Sequence, residues 1–322
     1  MHKWIVWSLL LLAVPLYAQQ RTVGLLQQDS TLSFTGYTLF APIGSTTTYL
    51  IDKNGLLVRS WLSSYRPGQA VMLLPNGNLL RTAAVTTTFF NAGGAGGRVE
   101  SFTWDGVLAW SYEHFSATYR THHDIDCLPN GNVLLISWEL KSRAEAIAAG
   151  RNPANILDNV WSEKIIEVQP TGSAGGTIVW EWHVWDHLIR DYDATKANYG
   201  NVAQHPELID LNFGTRGNDW LHINSIRYNL QRNEIVVSSH EFDEIWIVDH
   251  STTTTEAGGH TGGRRGKGGD LLYRWGNPQA YRLGTTADQK LFGQHDARWI
   301  DAGSPGASNI LIFNNGMQTC PK

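Results

Sequence analysis

Histidines from distant parts of the chain stand where side chains would converge if its repeats fold alike. His122-His123-Asp124, Leu221-His222-Ile223-Asn224 and Gln294-His295-Asp296 each precede an apolar run, and Gln69-Ala70 precedes a fourth. His240, after Ser238-Ser239, ends the run that follows His222. An imidazole can attack an electrophile, exchange protons near neutral pH or bind a metal. A lone histidine is usually a satisfied structural residue, but recurrence at one repeat position favours a shared site. There is no GxSxG elbow and no suitably placed cysteine to supply a rival nucleophile. Regular strand alternation would send Asp124 and Asp296 to the opposite face, where hydrogen bonding between repeats is their expected role. His114, His183, His187, His205, His250 and His260 hold no repeated position and read as surface or loop residues.

The elements that must position these residues are visible as a repeat. Leu73-Leu74-Pro75-Asn76-Gly77-Asn78-Leu79-Leu80 recurs as Cys127-Leu128-Pro129-Asn130-Gly131-Asn132-Val133-Leu134. An Asn-Gly pair between apolar runs is a strong hairpin signal, because both residues tolerate positive φ. Degenerate copies run from Ile226 to Val236 and from Arg298 to Ile312. A second strand pair ending in tryptophan belongs to each unit, as in Val99-Glu100-Ser101-Phe102 to Ala109-Trp110 and Ile165-Ile166-Glu167-Val168 to Val179-Trp180. Two hairpins per roughly 50 residues is the sequence form of a β-propeller blade. The expected fold is therefore all-β, a β-propeller of four-stranded blades, whose inner strands start at the mouth of a central channel. Five units can be read, the first and last incomplete. The last stops after its inner hairpin at Gly316, so the C-terminal part of the ring is expected to be missing. Glu139 to Gly150 reads as a helical insertion capped by Gly150. Gly258 to Gly269 reads as a solvated loop, since no Ser or Thr follows Lys267 to make a phosphate-binding loop.

The 322 residues are 42% hydrophobic and 17% charged, with a net charge of -4, which excludes a disordered chain and gives no pull toward nucleic acid. With 32 Gly and 14 Trp, the composition suits tight turns and sheets. His2-Lys3, the apolar run Trp4 to Val14 and the small residue Ala18 form the pattern of a secretory signal over 1–18. That run is too short to span a bilayer, and a soluble, exported domain over 19–322 is expected, periplasmic or secreted. Export permits a bridge between the two cysteines, Cys127 and Cys320, but two separate thiols fit equally well.

Asp219-Trp220-Leu221-His222-Ile223-Asn224-Ser225, Tyr273-Arg274-Trp275-Gly276-Asn277-Pro278 and Gln294-His295-Asp296-Ala297 together resemble the bacterial arylsulfate sulfotransferase family. His122-His123-Asp124 and the LPNGN hairpins extend the likeness from about Gly36 to Gly316. The resemblance implies an exported six-bladed propeller that moves a sulfuryl group from a phenolic sulfate ester to a phenol. It implies a ping-pong reaction through a sulfated histidine, with no cofactor and no PAPS. The nucleophile it implies is His295, with His123 and His222 handling sulfuryl oxygens and phenol protons. His122 and Asn224 are carried over as substrate-binding residues, and no residue is assigned to a metal. Where the family has arginine this chain has His240, which must be protonated to supply the charge that arginine always carries. The partners expected are a phenolic sulfate donor and a phenol acceptor, and a homodimer is allowed. Two other readings stay open: a lyase-like metal enzyme with His123, His222 and His295 as ligands, and a non-catalytic exported binding propeller.

Overall fold

The computed structural model describes residues 22–214 and 216–316. The expected signal over 1–18 and Cys320, with any bridge to Cys127, lie outside the described residues.

The strands fall into successive antiparallel sheets that follow chain order. The first has three strands: β1 (Tyr37–Phe40), β2 (Thr47–Asp52) and β3 (Leu57–Leu62). The second has four, β4 (Pro67–Leu73), β5 (Leu79–Ala84), β6 (Gly97–Phe102) and β7 (Leu108–Glu113). The third comprises β8 (Tyr119–Cys127), β9 (Val133–Lys141), β10 (Val160–Pro170) and β11 (Gly176–His183). A short parallel pair, β12 (Leu188–Ile189) and β13 (Ile209–Asp210), precedes the fourth sheet. That sheet is β14 (Ile223–Asn229), β15 (Glu234–Ser239), β16 (Glu244–Asp249) and β17 (Tyr273–Trp275). The fifth is a hairpin, β18 (His295–Trp299) with β19 (Ile310–Phe313). The leading strands β4, β8, β14 and β18 pack successively against one another, as blades do in a propeller. The expected units thus recur as sheets, the first and last incomplete among the described residues.

The LPNGN segments form one turn used twice. Gly77 donates to the Leu74 carbonyl at 2.8 Å, and Gly131 to that of Leu128 at 2.9 Å. Only the glycine of each Asn-Gly pair is left-handed, with φ of 84° at Gly77 and 85° at Gly131. The Asn-Gly hairpin signal holds, with a single left-handed residue: proline supplies the fixed φ that a type I turn wants at its second position.

Tryptophans stitch each of the first three sheets to the next. Trp61 Nε1 donates to the Thr103 carbonyl at 2.9 Å, Trp110 Nε1 to that of Gly175 at 2.7 Å, and Trp180 Nε1 to Thr252 Oγ1 at 3.2 Å. Each ring is buried, so apolar area and a satisfied N–H come from one residue. The largest core lies between the third and fourth sheets, around Ile165, Trp182, Trp220 and Trp246.

The helical insertion is shorter than expected. Glu139 to Lys141 continue β9, and α1 spans Arg143–Ala148 behind a Ser142 capping box. Gly150 follows with φ 96°, the left-handed C-terminal stop. The glycine-rich loop begins beyond α2 (Thr254–Ala257) and links β16 to β17. Much of it is exposed, but Gly268, Gly269 and Asp270 are buried, so its end is not solvated.

Candidate active site

The leading strands share a backbone device where the histidines sit. Pairing is interrupted between Pro67 and Val71 in β4, Thr121 and Ile125 in β8, Ile223 and Ser225 in β14, and His295 and Arg298 in β18. Nearby, Gln69, His123, His222 and Asp296 take positive φ of 85°, 49°, 50° and 55°. Such a conformation costs a non-glycine residue roughly 1–2 kcal/mol, so surrounding contacts must hold it. Part of that hold comes from the Gly94 carbonyl, which accepts the His123 N–H at 2.7 Å. Gly94, at φ 78°, lies flat against the ring; a Cβ there would fall 2.2 Å from His123 Cε1.

Two expectations are corrected by this geometry. Pairing is not regular, so Asp124 and Asp296 are not sent away from their histidines; all four line one pocket of about 290 Å³. The histidines also do not occupy one equivalent position, because in β18 the bent residue is Asp296 and His295 comes one residue earlier. Asp124 does tie two sheets together, accepting from Ile226 N at 3.0 Å and Arg227 Nη1 at 2.6 Å.

The imidazoles form a continuous row. Ring centroids are 5.1 Å apart for His122–His123, 4.5 Å for His123–His222, 5.1 Å for His222–His240 and 5.4 Å for His240–His295. Thus all five sequence-selected histidines come together. Asn224 lines the same pocket and donates from Nδ2 to the Gln294 carbonyl at 2.8 Å, fixing the backbone beside His295. A larger groove of about 680 Å³ between the fourth sheet and the β18–β19 hairpin, lined by Trp275 and Trp299 among others, includes none of these histidines.

Each ring is oriented by a partner. His295 Nδ1 donates to the Gly293 carbonyl at 3.0 Å, which leaves Nε2 with its lone pair. Burial lowers the His295 pKa, keeping that ring neutral. His222 Nδ1 is 2.6 Å from Asp219 Oδ2, and Trp138 Nε1 donates to Asp219 Oδ1 at 2.9 Å. His240 Nδ1 lies 3.0 Å from Glu241 Oε1, and that hydrogen bond raises its pKa, favouring the imidazolium.

At the far end the row enters the core. His122 is fully buried, stacked on Trp138 at 3.9 Å between centroids. Its Nδ1 is 2.8 Å from His123 Nδ1 and its Nε2 is 2.8 Å from Glu163 Oε2. Glu163 also accepts the Ile223 N–H at Oε1, 3.1 Å away. Burial pushes the Glu163 carboxyl well up and the His122 imidazole down to about 3, and it lowers His123 as well. Both directions describe a neutral pair, in which the Glu163 O–H donates to His122 Nε2. The His122 Nδ1–H then donates to His123 Nδ1, and His123 is left to present Nε2–H as a donor.

Glu163, Asp219, Glu241, Trp138 and Gly94 went unnoticed in the sequence. Asp219 carried a signal, standing three residues before His222 within the quoted motif. Glu163 carried none: it is one acid in a strand of mixed composition. Two histidines read as surface or loop residues are core residues instead. His114 is buried and stacked on Tyr119 at 4.2 Å, and His187 is fully buried.

Fold and site together define an all-β protein of successive antiparallel sheets whose leading strands bring a row of oriented imidazoles together. Over residues 41–320 the chain matches the arylsulfotransferase (ASST) family, and it belongs to that family. No curated protein matches it. Similar solved structures include a protein of unknown function from Bacteroides caccae, 12% identical with a TM-score of 0.42, the match covering 88% of this chain and 74% of that one. Another is the Dos1 propeller, 9% identical with a TM-score of 0.40, where the match covers 83% of this chain and 49% of that one.

Proposed function

We propose that the chain is an exported, PAPS-independent arylsulfotransferase that works by a ping-pong mechanism through a sulfated His295, on a six-bladed ring. The observation that carries this reading is the Gly293 carbonyl on His295 Nδ1, which supports an unprotonated Nε2 in a pocket lined with donors. In the first half-reaction Nε2 attacks sulfur; an N–S bond forms as the S–O bond to the aryl group breaks. His222, steadied by Asp219, gives its Nε2 proton to the departing phenolate. In the second half-reaction an acceptor phenol returns its proton to His222 as its oxygen takes the sulfuryl group, and His295 is regenerated neutral. Sulfuryl transfer through a loose, in-line transition state needs placement and charge neutralisation more than new covalent machinery. Protonated His240 and the His123 Nε2–H are the donors for the sulfuryl oxygens. His122 acts through His123, and Asn224 through the backbone at Gln294.

A three-histidine metal site is less well supported. Among the described residues, only His187, His260 and Asp270 bring three metal-ligating atoms within 4.8 Å of one another; His123, His222 and His295 do not. The proposal is tested by release of p-nitrophenol from p-nitrophenyl sulfate with a phenol as acceptor. Parallel double-reciprocal lines at varied phenol are expected, and intersecting lines would rule out a covalent relay. Among the described residues no helix is long and apolar enough to cross a membrane.

A further inference from the structure

Away from the imidazole row, His187, His260 and Asp270 converge. His187 follows β11, and the other two lie in the connection between β16 and β17. His187 Nδ1 and His260 Nδ1 each lie 2.8 Å from the same oxygen, Asp270 Oδ1. On its other side His187 Nε2 is 2.8 Å from the Ala257 carbonyl. Both ring nitrogens of this fully buried side chain face oxygens, and a neutral ring has one N–H to give; with Nε2–H donated to Ala257, Nδ1 keeps a lone pair for an ion. This is the usual support of a metal-bound histidine, in which a carbonyl fixes the tautomer and aim of the ring.

The surroundings are built to keep this geometry. Trp182 stacks on His187, with centroids 5.6 Å apart and planes 9° from parallel, and its Nε1 donates to the Gly269 carbonyl at 2.7 Å. Gly269 has no room for a side chain, since a Cβ would meet the Ala257 carbonyl at 2.0 Å and His187 Nε2 at 2.6 Å. The fourth side is open, because the His260 side chain is 54% exposed.

We infer that His187, His260 and Asp270 bind a divalent transition-metal cation of the Zn²⁺ type. Two imidazoles and a carboxylate suit that ion in tetrahedral coordination, with water as the fourth ligand. Its role is structural: it clips the segment after β11 to the glycine-rich connection, joining the outer edges of the third and fourth sheets. It takes no part in sulfuryl transfer.

The test is Zn²⁺ titration of the metal-stripped mature protein by calorimetry and thermal melting, on wild type and His260→Ala. His260 is exposed, so its loss leaves the fold intact. The wild type is expected to take up one Zn²⁺ per chain and to gain on the order of 5 °C in Tm once zinc is well above Kd. His260→Ala is expected to bind about 100-fold more weakly or worse, with unchanged p-nitrophenyl sulfate turnover. Co²⁺ should give the wild type alone a tetrahedral visible spectrum. No uptake by the wild type, or the same Tm gain in both proteins, would overturn the site in favour of a metal-free, hydrogen-bonded His–Asp cluster.

Discussion

His122 Nδ1 and His123 Nδ1 lie 2.8 Å apart, nitrogen to nitrogen, with the Glu163 carboxyl 2.8 Å from the far side of His122. One proton must sit between each pair of atoms, so the state of a carboxyl in the core decides what His123 shows to the pocket. If Glu163 is protonated, His123 offers a donor; if it is ionised, His123 offers a lone pair.

That coupling sets the first prediction. Glutamine copies a protonated Glu163, donating to His122 and accepting from Ile223, so Glu163→Gln should keep kcat within about threefold. Glu163→Ala frees the relay and should lower kcat by about 100-fold or more, comparable with losing one oriented donor at about 2.7–4 kcal/mol. Steady-state kinetics on both folded variants check this. A glutamine variant as poor as the alanine one would show that Glu163 acts as an anion.

The pH profile should be bell-shaped, with limbs assigned to different rings. Burial lowers the His295 pKa, so the nucleophile is neutral above a point below about 6.5, and activity rises as pH increases through it. The hydrogen bond that His240 donates to Glu241 raises the His240 pKa, so its charge is present below a point above about 6.5 and lost as pH rises through it. His240→Arg keeps its charge throughout, and should move the alkaline limb to higher pH while leaving the acid limb in place. An alkaline limb unchanged in this variant would take His240 out of the charge balance.

Stability should fall in acid for a reason unrelated to catalysis. Burial, then the charge of Lys164, hold the His114 pKa down to about 3, with Glu181 opposing them weakly. The unfolded chain takes up this proton as pH drops below about 6.5 and the folded protein does not until about 3. The contribution of His114 is therefore complete above 6.5 and is lost progressively across that window. His114→Phe preserves stacking on Tyr119 without the titration. Its Tm should decline less than that of wild type between neutral pH and about pH 5; equal declines would assign the acid sensitivity elsewhere.

The tryptophan bonds between sheets make a local prediction. Trp110→Phe removes the donor to the Gly175 carbonyl and should destabilise by about 1–3 kcal/mol in urea, without changing turnover. A loss of turnover at full stability would mean that this joint also positions the site.

Much of this architecture was readable because its devices are local. Pro-Asn-Gly announces its turn, and tryptophans mark the outer strands, those of the first three sheets reaching the next one. The histidines were readable as a group because repeats return the chain to one place. Their register was not, because a bulge moves a side chain by one residue without leaving a mark in residue type, as at His295 and Asp296. Glu163 was hidden for another reason: its role comes from β10 lying two strands from β8 in the same sheet, across β9, a relation invisible along the strand itself. His187 likewise takes its partner, Asp270, from a distant loop.

The central claim is a covalent sulfuryl–imidazole intermediate on His295. Intact mass measured after brief exposure to p-nitrophenyl sulfate, without acceptor, tests it most directly. The wild type should gain one sulfuryl group, lose it when phenol is added, and show no such gain as His295→Ala. An adduct of the same mass on the His295→Ala protein, or p-nitrophenol release from folded wild type with no adduct at any time, would contradict it.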